Sequence, residues 1–492
     1  MSHQDRKSQR QIVVNHESLR EVVGWLLRPA VFVGMHVREG SKWKPRLLAA
    51  AALFWAISDR TTPTDRFEHA REVIKRIFCR QPEAGQTYRG FMKMLNKWPE
   101  RLLLAVVCEL RLRMQQELQA QYQVAGFTVF AGDGIRTETP RTKSNQQAYS
   151  ARRKQKRKKN NKEQAKRGPS QRTRRKTQVA KKRRTIKKQS AAAIEKKAST
   201  TQMWLALLWH VGTGLPWSWR SGAADCSERH HLLEMLGEMP ENSLITADAG
   251  FVGFDFWKAI LDANHDFVIR IGANVKLIKT LGYARESDQT VYLWPDWAAK
   301  KQMPPLVLRL IVIHNGKHPV YLVSSVLSKQ RLSDKQTIEI YRYRWGIELF
   351  FRTFKQTFGR TKLRSHSAAN AKLELDWSPV ALWSIRLLGQ RELVRAGEAP
   401  SQLSPAGAIK AVQSTLRDYR VRPESSDQTL YSMLANAQRD AYERSSSKTS
   451  RDYPRNKQRE RTAAPKINDA RKQQINAANE VKTMPTKFRP AA

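Results

Sequence analysis

Cysteine is scarce in this 492-residue chain, and the three present exclude a good deal. Cys79, Cys108 and Cys226 form an odd set, widely spaced, with no C-x2-C pair and no Cys/His cluster, which excludes a zinc finger and argues against a disulfide framework. They read as reduced, buried thiols of an intracellular protein. Long hydrophobic runs are also missing. The apolar stretch Leu47–Ile57 is too short to span a bilayer and the opening segment MSHQDRKSQRQ is polar, so the expectation is a soluble, cytoplasmic protein that is not exported. Acidic residues are in deficit, 44 Asp and Glu against 89 Lys and Arg, leaving a net charge of +45 and a pI near 10.6. Such a balance calls for a polyanionic partner. Nucleic acid stands ahead of a membrane surface, because no amphipathic basic helix or lipidation motif accompanies the charge. No phosphate-cradling glycine loop for a nucleotide is present, so the sequence does not point to chemistry driven by ATP.

What is present is enough to build a core of more than one domain: 40% hydrophobic residues and 14 tryptophans. Helical spacing of apolar residues recurs through residues 1–120, in Leu47–Ile57, Phe67–Phe78, Tyr88–Leu95 and Leu102–Leu118. This segment is expected to be a helical domain. Its Thr87–Leu95 stretch reads either as the recognition helix of a helix-turn-helix or as an amphipathic helix packed on the core. Residues 151–190 hold 20 Lys and Arg and a single acid, Glu163. A block of that charge density repels itself and buries nothing, so 143–199 is expected to be a disordered basic insertion, serving as a phosphate clamp or merely tolerated as a loop. From about residue 440 the chain turns Ser-, Arg-, Lys- and Gln-rich and is expected to be a flexible basic tail.

The most informative stretch is Tyr341–Lys355, YRYRWGIELFFRTFK. Read as a single helix at about 100° per residue, it sets Tyr341, Arg344, Glu348 and Lys355 on one stripe. A carboxylate between a guanidinium and an ammonium suits a metal-bound phosphodiester: Glu348 would hold a cation while Arg344 and Lys355 hold phosphate oxygens. Two further carboxylates stand at the ends of expected strands, Asp133 after Phe127–Gly132 and Asp248 after Ser243–Ala247. His210, His230 and His231 lack partners at metal-ligand spacing and read as structural.

The helix pattern Y-x2-R-x3-E-x6-K, with the two strand-end aspartates upstream, resembles the DDE transposases of bacterial insertion sequences, of the insertion-sequence-4 family. The order of three strands with Asp133 on the first, a helix, a strand ending in Asp248 and a later helix with Glu348 is that of a ribonuclease-H-like fold. The expected fold class is therefore α/β: a ribonuclease-H-like catalytic domain over 121–390 with a β-rich insertion over 272–332, preceded by the small all-α domain of 1–120 and followed by a helical segment and basic tail over 391–492. The resemblance implies two Mg²⁺ ions, with Mn²⁺ as the alternative, held by Asp133, Asp248 and Glu348. It also implies contacts from Tyr341, Arg344 and Lys355 to double-stranded DNA, cleavage at element ends with strand transfer, a homodimer on paired ends and association with the nucleoid. In members with hairpin intermediates an aromatic residue of the β-insertion stacks on a flipped base, a role open here to Trp294 and Trp297 or to neither, should both be core residues. The competing readings are a ribonuclease-H-like nuclease that does not join strands and a non-catalytic DNA-binding protein derived from a transposase. The Asp133-to-Asp248 interval of 115 residues is longer than the expected strands and helix need.

Overall fold

The apolar run that leads to Asp133 lies inside a ten-stranded sheet in the computed structural model, which describes residues 12–79, 84–150, 201–315, 318–439 and 464–483. The strands are β1 (Thr128–Glu138), β2 (Gln202–His210), β3 (Leu215–Ala223), β4 (Ser243–Ala247), β5 (Asp266–Ile271), β6 (Lys276–Lys279), β7 (Thr290–Leu293), β8 (Leu306–Asn315), β9 (His318–Ser324) and β10 (Lys466–Asp469). They lie in the order β10-β6-β7-β8-β9-β5-β4-β1-β2-β3. Strands β1, β2 and β3 form an antiparallel meander, whereas β4 runs parallel to β1 and β5 parallel to β4. β4 is buried along its whole length, and this is why it reads as an unbroken run rather than an alternation. The β-rich stretch beyond β5 continues the same sheet through antiparallel pairs.

The α-helices are α1 (Asn15–Leu26), α2 (Pro45–Ile57), α3 (Pro63–Ile77), α4 (Tyr88–Lys97), α5 (Pro99–Glu117), α6 (Lys143–Tyr149), α7 (Glu228–Met235), α8 (Phe254–Asp262), α9 (Asp296–Lys300), α10 (Asp334–Tyr343), α11 (Trp345–Arg352), α12 (Ala368–Arg395), α13 (Pro405–Arg417), α14 (Leu430–Ala435) and α15 (Lys472–Thr483). Leu47–Ile57, too short for a membrane, is a helix buried on every side against α3 and α12. No described helix is long and apolar enough to cross a membrane. α12 is buried over most of its 28 residues and packs on α2, α4 and α5 from the first part of the chain and on α13 and α14 from the last. The helices before residue 120 and those after residue 390 thus share one core. α4 buries Phe91, Met92 and Leu95 in it and leaves Arg89, Lys93 and Lys97 exposed.

Glu374 of α12 anchors this body. It accepts from Arg66 Nη1 (3.1 Å) and from the backbone N–H groups of Arg364 (3.0 Å) and Ser365 (2.9 Å), and it is 2% exposed. Removing one side of a buried ion pair leaves the other charge desolvated and unpaired, so Glu374→Ala should cost about 3–5 kcal/mol. Chemical denaturation followed by circular dichroism checks this; a loss under about 1 kcal/mol would mean the pair is solvated.

Several local expectations change. The tail read as flexible contains β10 and α15: β10 pairs in parallel with β6 at the sheet edge, and Ala478 and Val481 of α15 are buried. Unpaired strand-edge groups on β6 and a short apolar spacing are enough to order a segment that composition marks as a tail. Within the stretch read as a basic insertion, Lys143–Tyr149 is helical, with the Thr142 hydroxyl accepting from Asn145 N–H. The remaining basic tract, 151–190, lies outside the described residues. The cysteines are not buried: Cys79 and Cys108 are exposed and Cys226 is half-buried.

Candidate active site

Asp133 and Asp248 are brought together by strand register. β1 and β4 pair in parallel with Ala131 opposite Thr246, so two residues further on Asp133 stands beside Asp248 on the same face. Gly132 and Gly134 point to the other face, which α7 covers: a Cβ on Gly132 would lie 2.9 Å from Leu232 Cδ2. Asp133 therefore faces the α11 side of the sheet, and α11 packs on β1. Each aspartate is held by a backbone donor close in sequence, Gly134 N–H to Asp133 Oδ1 (2.8 Å) and Gly250 N–H to Asp248 Oδ1 (2.7 Å). The Asp248 turn is braced in turn by Arg229, whose Nε donates to Gly250 O (2.8 Å).

Tyr341–Lys355 does not form one straight helix. α10 ends at Tyr343, Arg344 makes a tight turn in which Ile347 N–H donates back to Arg344 O (3.1 Å), and α11 begins at Trp345. Residues Thr353–Thr357 then form a π-helical turn around Lys355. The break coincides with close packing, since a Cβ on Gly346 would run into the indole of Trp209 on β2. α10 is well started by a reciprocal cap between Ser333 and Gln336.

Despite the break, Tyr341, Arg344 and Glu348 keep together. Arg344 is 8% exposed, donates through Nη2 to Glu348 Oε1 (3.0 Å) and lies over the Tyr341 ring, 5.4 Å from its centre. Burial works against the Arg344 charge, but Tyr341, Glu348 and Asp248 together hold the guanidinium more firmly protonated than usual. Lys355 sits apart from that pair, beside Glu138 at the end of β1; burial lowers its pKa and Glu138 partly restores it. Trp345 and Leu349 flank Glu348 as exposed apolar side chains.

Asp133 is electrostatically perturbed. Burial, with the charges of Asp248 and Glu348, pushes its carboxyl up to about 6 against the pull of Gly134 N–H and Arg344. Sequence reasoning missed a fourth carboxylate, Glu228, at the first position of α7. A Cβ on Gly134 would come 3.1 Å from Glu228 Oε1, and burial followed by the charges of Asp133 and Asp248 raises this carboxyl to about 7. Nothing in its local sequence, SERHHLL, distinguishes Glu228 from a helix-start glutamate. Only packing against β1 brings it here.

Among the described residues no three His, Cys, Asp or Glu side chains are gathered closely enough to enclose a metal ion. The donor set is nonetheless all oxygen and fits a hard divalent cation: two adjacent aspartates, one with its carboxyl raised by burial and by its acidic neighbours, and a glutamate engaged by an arginine. Of the two tryptophans considered for base stacking, Trp294 is buried with Nε1 donating to Met303 O (2.8 Å), whereas Trp297 is 40% exposed, edge-on to Phe254 six residues beyond Asp248.

Comparison with known proteins gives three findings. Residues 172–382 match the family model described as the transposase DDE domain, a span holding Asp248, Tyr341, Arg344, Glu348 and Lys355 but beginning after Asp133. The transposase InsG for insertion sequence element IS4 of Escherichia coli (strain K12) is 25% identical over 199 residues, 37% of this chain and 43% of that protein. The chain thus matches less than half the length of this curated relative. A cryo-EM structure of the piggyBac transposase synaptic complex with hairpin DNA is similar over 87% of this chain and 86% of that one, with 10% identity and a TM-score of 0.37.

Proposed function

We propose that this chain, as a DDE transposase of the insertion-sequence-4 family, cuts DNA at the ends of a mobile element and joins the released strand to target DNA. The supporting observation is the β1–β4 register, which sets two aspartates side by side with the Arg344–Glu348 pair in electrostatic reach. The antiparallel β1–β3 meander continued by parallel β4 and β5 is the arrangement expected of a ribonuclease-H-like catalytic domain.

Asp133, Asp248 and Glu348 would hold two divalent cations, Mg²⁺ or alternatively Mn²⁺. When bound, such ions neutralise developing charge on the phosphodiester and ease deprotonation of the attacking hydroxyl or water. The protein's own share is positional. Gly134 and Gly250 N–H groups orient the aspartates, Glu348 would be the third carboxylate to hold a cation, and the Arg344 guanidinium beside it would donate to a phosphate oxygen. Lys355 supplies a second cation at the far end of β1, and Tyr341 orients the Arg344 guanidinium from beneath. Of Trp294 and Trp297, Trp297 is the exposed one and would be available to a flipped base. The exposed Arg89, Lys93 and Lys97 on α4, with the basic tract 151–190, would bind phosphates of the duplex, and pairing of two element ends would make the working form a homodimer.

The test is incubation of purified protein with a plasmid carrying the coding region and its flanking inverted repeats, in Mg²⁺ and in EDTA. Breaks mapping to the repeats, with joined products, only in Mg²⁺, are expected. Breaks without joined ends would favour a simple nuclease, and no metal-dependent product would leave only DNA binding.

A further inference from the structure

Outside the carboxylate site, one thiol has an unusual neighbour. Cys226 lies just before Ser227, the residue that starts α7, and His231 lies on the first turns of the same helix. Both side chains close on Gly222 of β3: a Cβ there would be 2.6 Å from Cys226 Sγ and 3.2 Å from His231 Nε2. The missing side chain leaves the sulfur and the ring nitrogen bordering one small space. His231 is 8% exposed, and its Nε2 is buried without a hydrogen-bond partner among the described residues. The other ring nitrogen, Nδ1, is 3.1 Å from Glu234 Oε2. With Nδ1–H donating to that carboxylate, Nε2 is left as a free lone pair on the same gap at Gly222 that the sulfur borders.

We propose that Cys226 is a modification site, a thiol that peroxides oxidise reversibly to sulfenic acid with His231 as its base. The thiol proton passes to Nε2, and the sulfur attacks one peroxide oxygen. The S–O bond forms as the O–O bond breaks, and the leaving hydroxide takes the proton from Nε2 and departs as water. Sulfur loses two electrons and the peroxide gains them. The sulfenic hydroxyl gives the orphaned Nε2 a partner, removing the cost of a buried unpaired acceptor. Cys79 and Cys108 are more exposed but have no such base described beside them, so the protein contains its own controls. This inference is independent of the DNA-cutting function.

The experiment is treatment of the full reduced chain with hydrogen peroxide in the presence of dimedone, followed by mass spectrometry of the three cysteine peptides. Cys226 should be labelled about tenfold faster than Cys79 or Cys108, although it is the least exposed. His231→Gln should bring its rate down to theirs. Glu234→Gln, a substitution on a half-exposed surface that keeps the hydrogen bond and removes the charge, should lower it part of the way and carries the test should the histidine variant not fold. Labelling of Cys226 no faster than of the other two would overturn the proposal, as would an unchanged rate in either folded variant.

Discussion

Glu348→Gln is expected to reduce metal-dependent DNA cleavage by roughly a thousandfold or more, equivalent to about 4 kcal/mol of lost transition-state stabilisation. The substitution keeps the volume and one acceptor for Arg344 Nη2 but removes the charge that a cation requires. Folding should barely change. Glu348 is a third exposed, and the charge component of such a pair contributes under about 1 kcal/mol. DNA binding should be retained, because Arg344 and Lys355 keep their charges and the other basic surfaces are untouched. Cleavage, thermal melting and DNA binding measured on the same preparations separate these effects. Turnover in Mg²⁺ at the unmodified rate would remove Glu348 from the catalytic set; lost cleavage together with a lowered melting temperature would point to a structural role instead.

Asp133→Asn should have effects of opposite sign on stability and activity. Burial, with Asp248 and Glu348 nearby, raises the Asp133 carboxyl to about 6, above its ordinary value near 3.8. The folded state therefore holds its proton more tightly than the unfolded chain. Below about pH 4 both states are protonated and the site costs nothing. As pH rises from 4 through about 6 the folded state loses this advantage, and at neutral pH the metal-free protein carries the full penalty, at most about 3 kcal/mol. Asparagine cannot ionise. Melting scans in EDTA should show Asp133→Asn more stable than the unsubstituted protein by a few degrees at pH 7.5, with the gain vanishing at pH 4. Mg²⁺ should raise the melting temperature of the unsubstituted protein at pH 7.5 and leave the variant unmoved, while cleavage by the variant is lost. Glu228, raised to about 7, shares the same trend on a window extending to higher pH, so some pH-dependent loss should persist in the variant. A gain of equal size at both pH values would mean that ionisation of Asp133 is not its source.

The residues of the proposed site were legible in the sequence because their signals are local. A stripe of Tyr341, Arg344, Glu348 and Lys355 needs only the helical period, and a strand that ends in Asp before Gly needs only a few apolar neighbours. Both are set by side-chain types within a dozen positions. The same holds for the basic balance, which is a property of composition.

Other features depended on contacts between distant parts of the chain, and no local pattern encodes those. The break at Arg344 lies where Gly346 packs against Trp209, more than a hundred residues earlier. Glu228 comes within electrostatic reach of Asp133 and Asp248 because α7 folds over the glycines of β1, and its raised pKa comes first from a burial that sequence spacing does not report. A polar tail becomes ordered where β10 finds the unpaired edge of β6. A histidine that the sequence offers as a structural residue becomes the neighbour of a half-buried thiol only once β3 presents Gly222 between them. By itself the sequence determined which groups are the candidates for the proposed DNA chemistry and the order in which they occur. The tertiary structure alone decided how those groups are desolvated, which extra side chains enter their field and which bonds hold them, because burial and electrostatic strength depend on distance in space rather than along the chain.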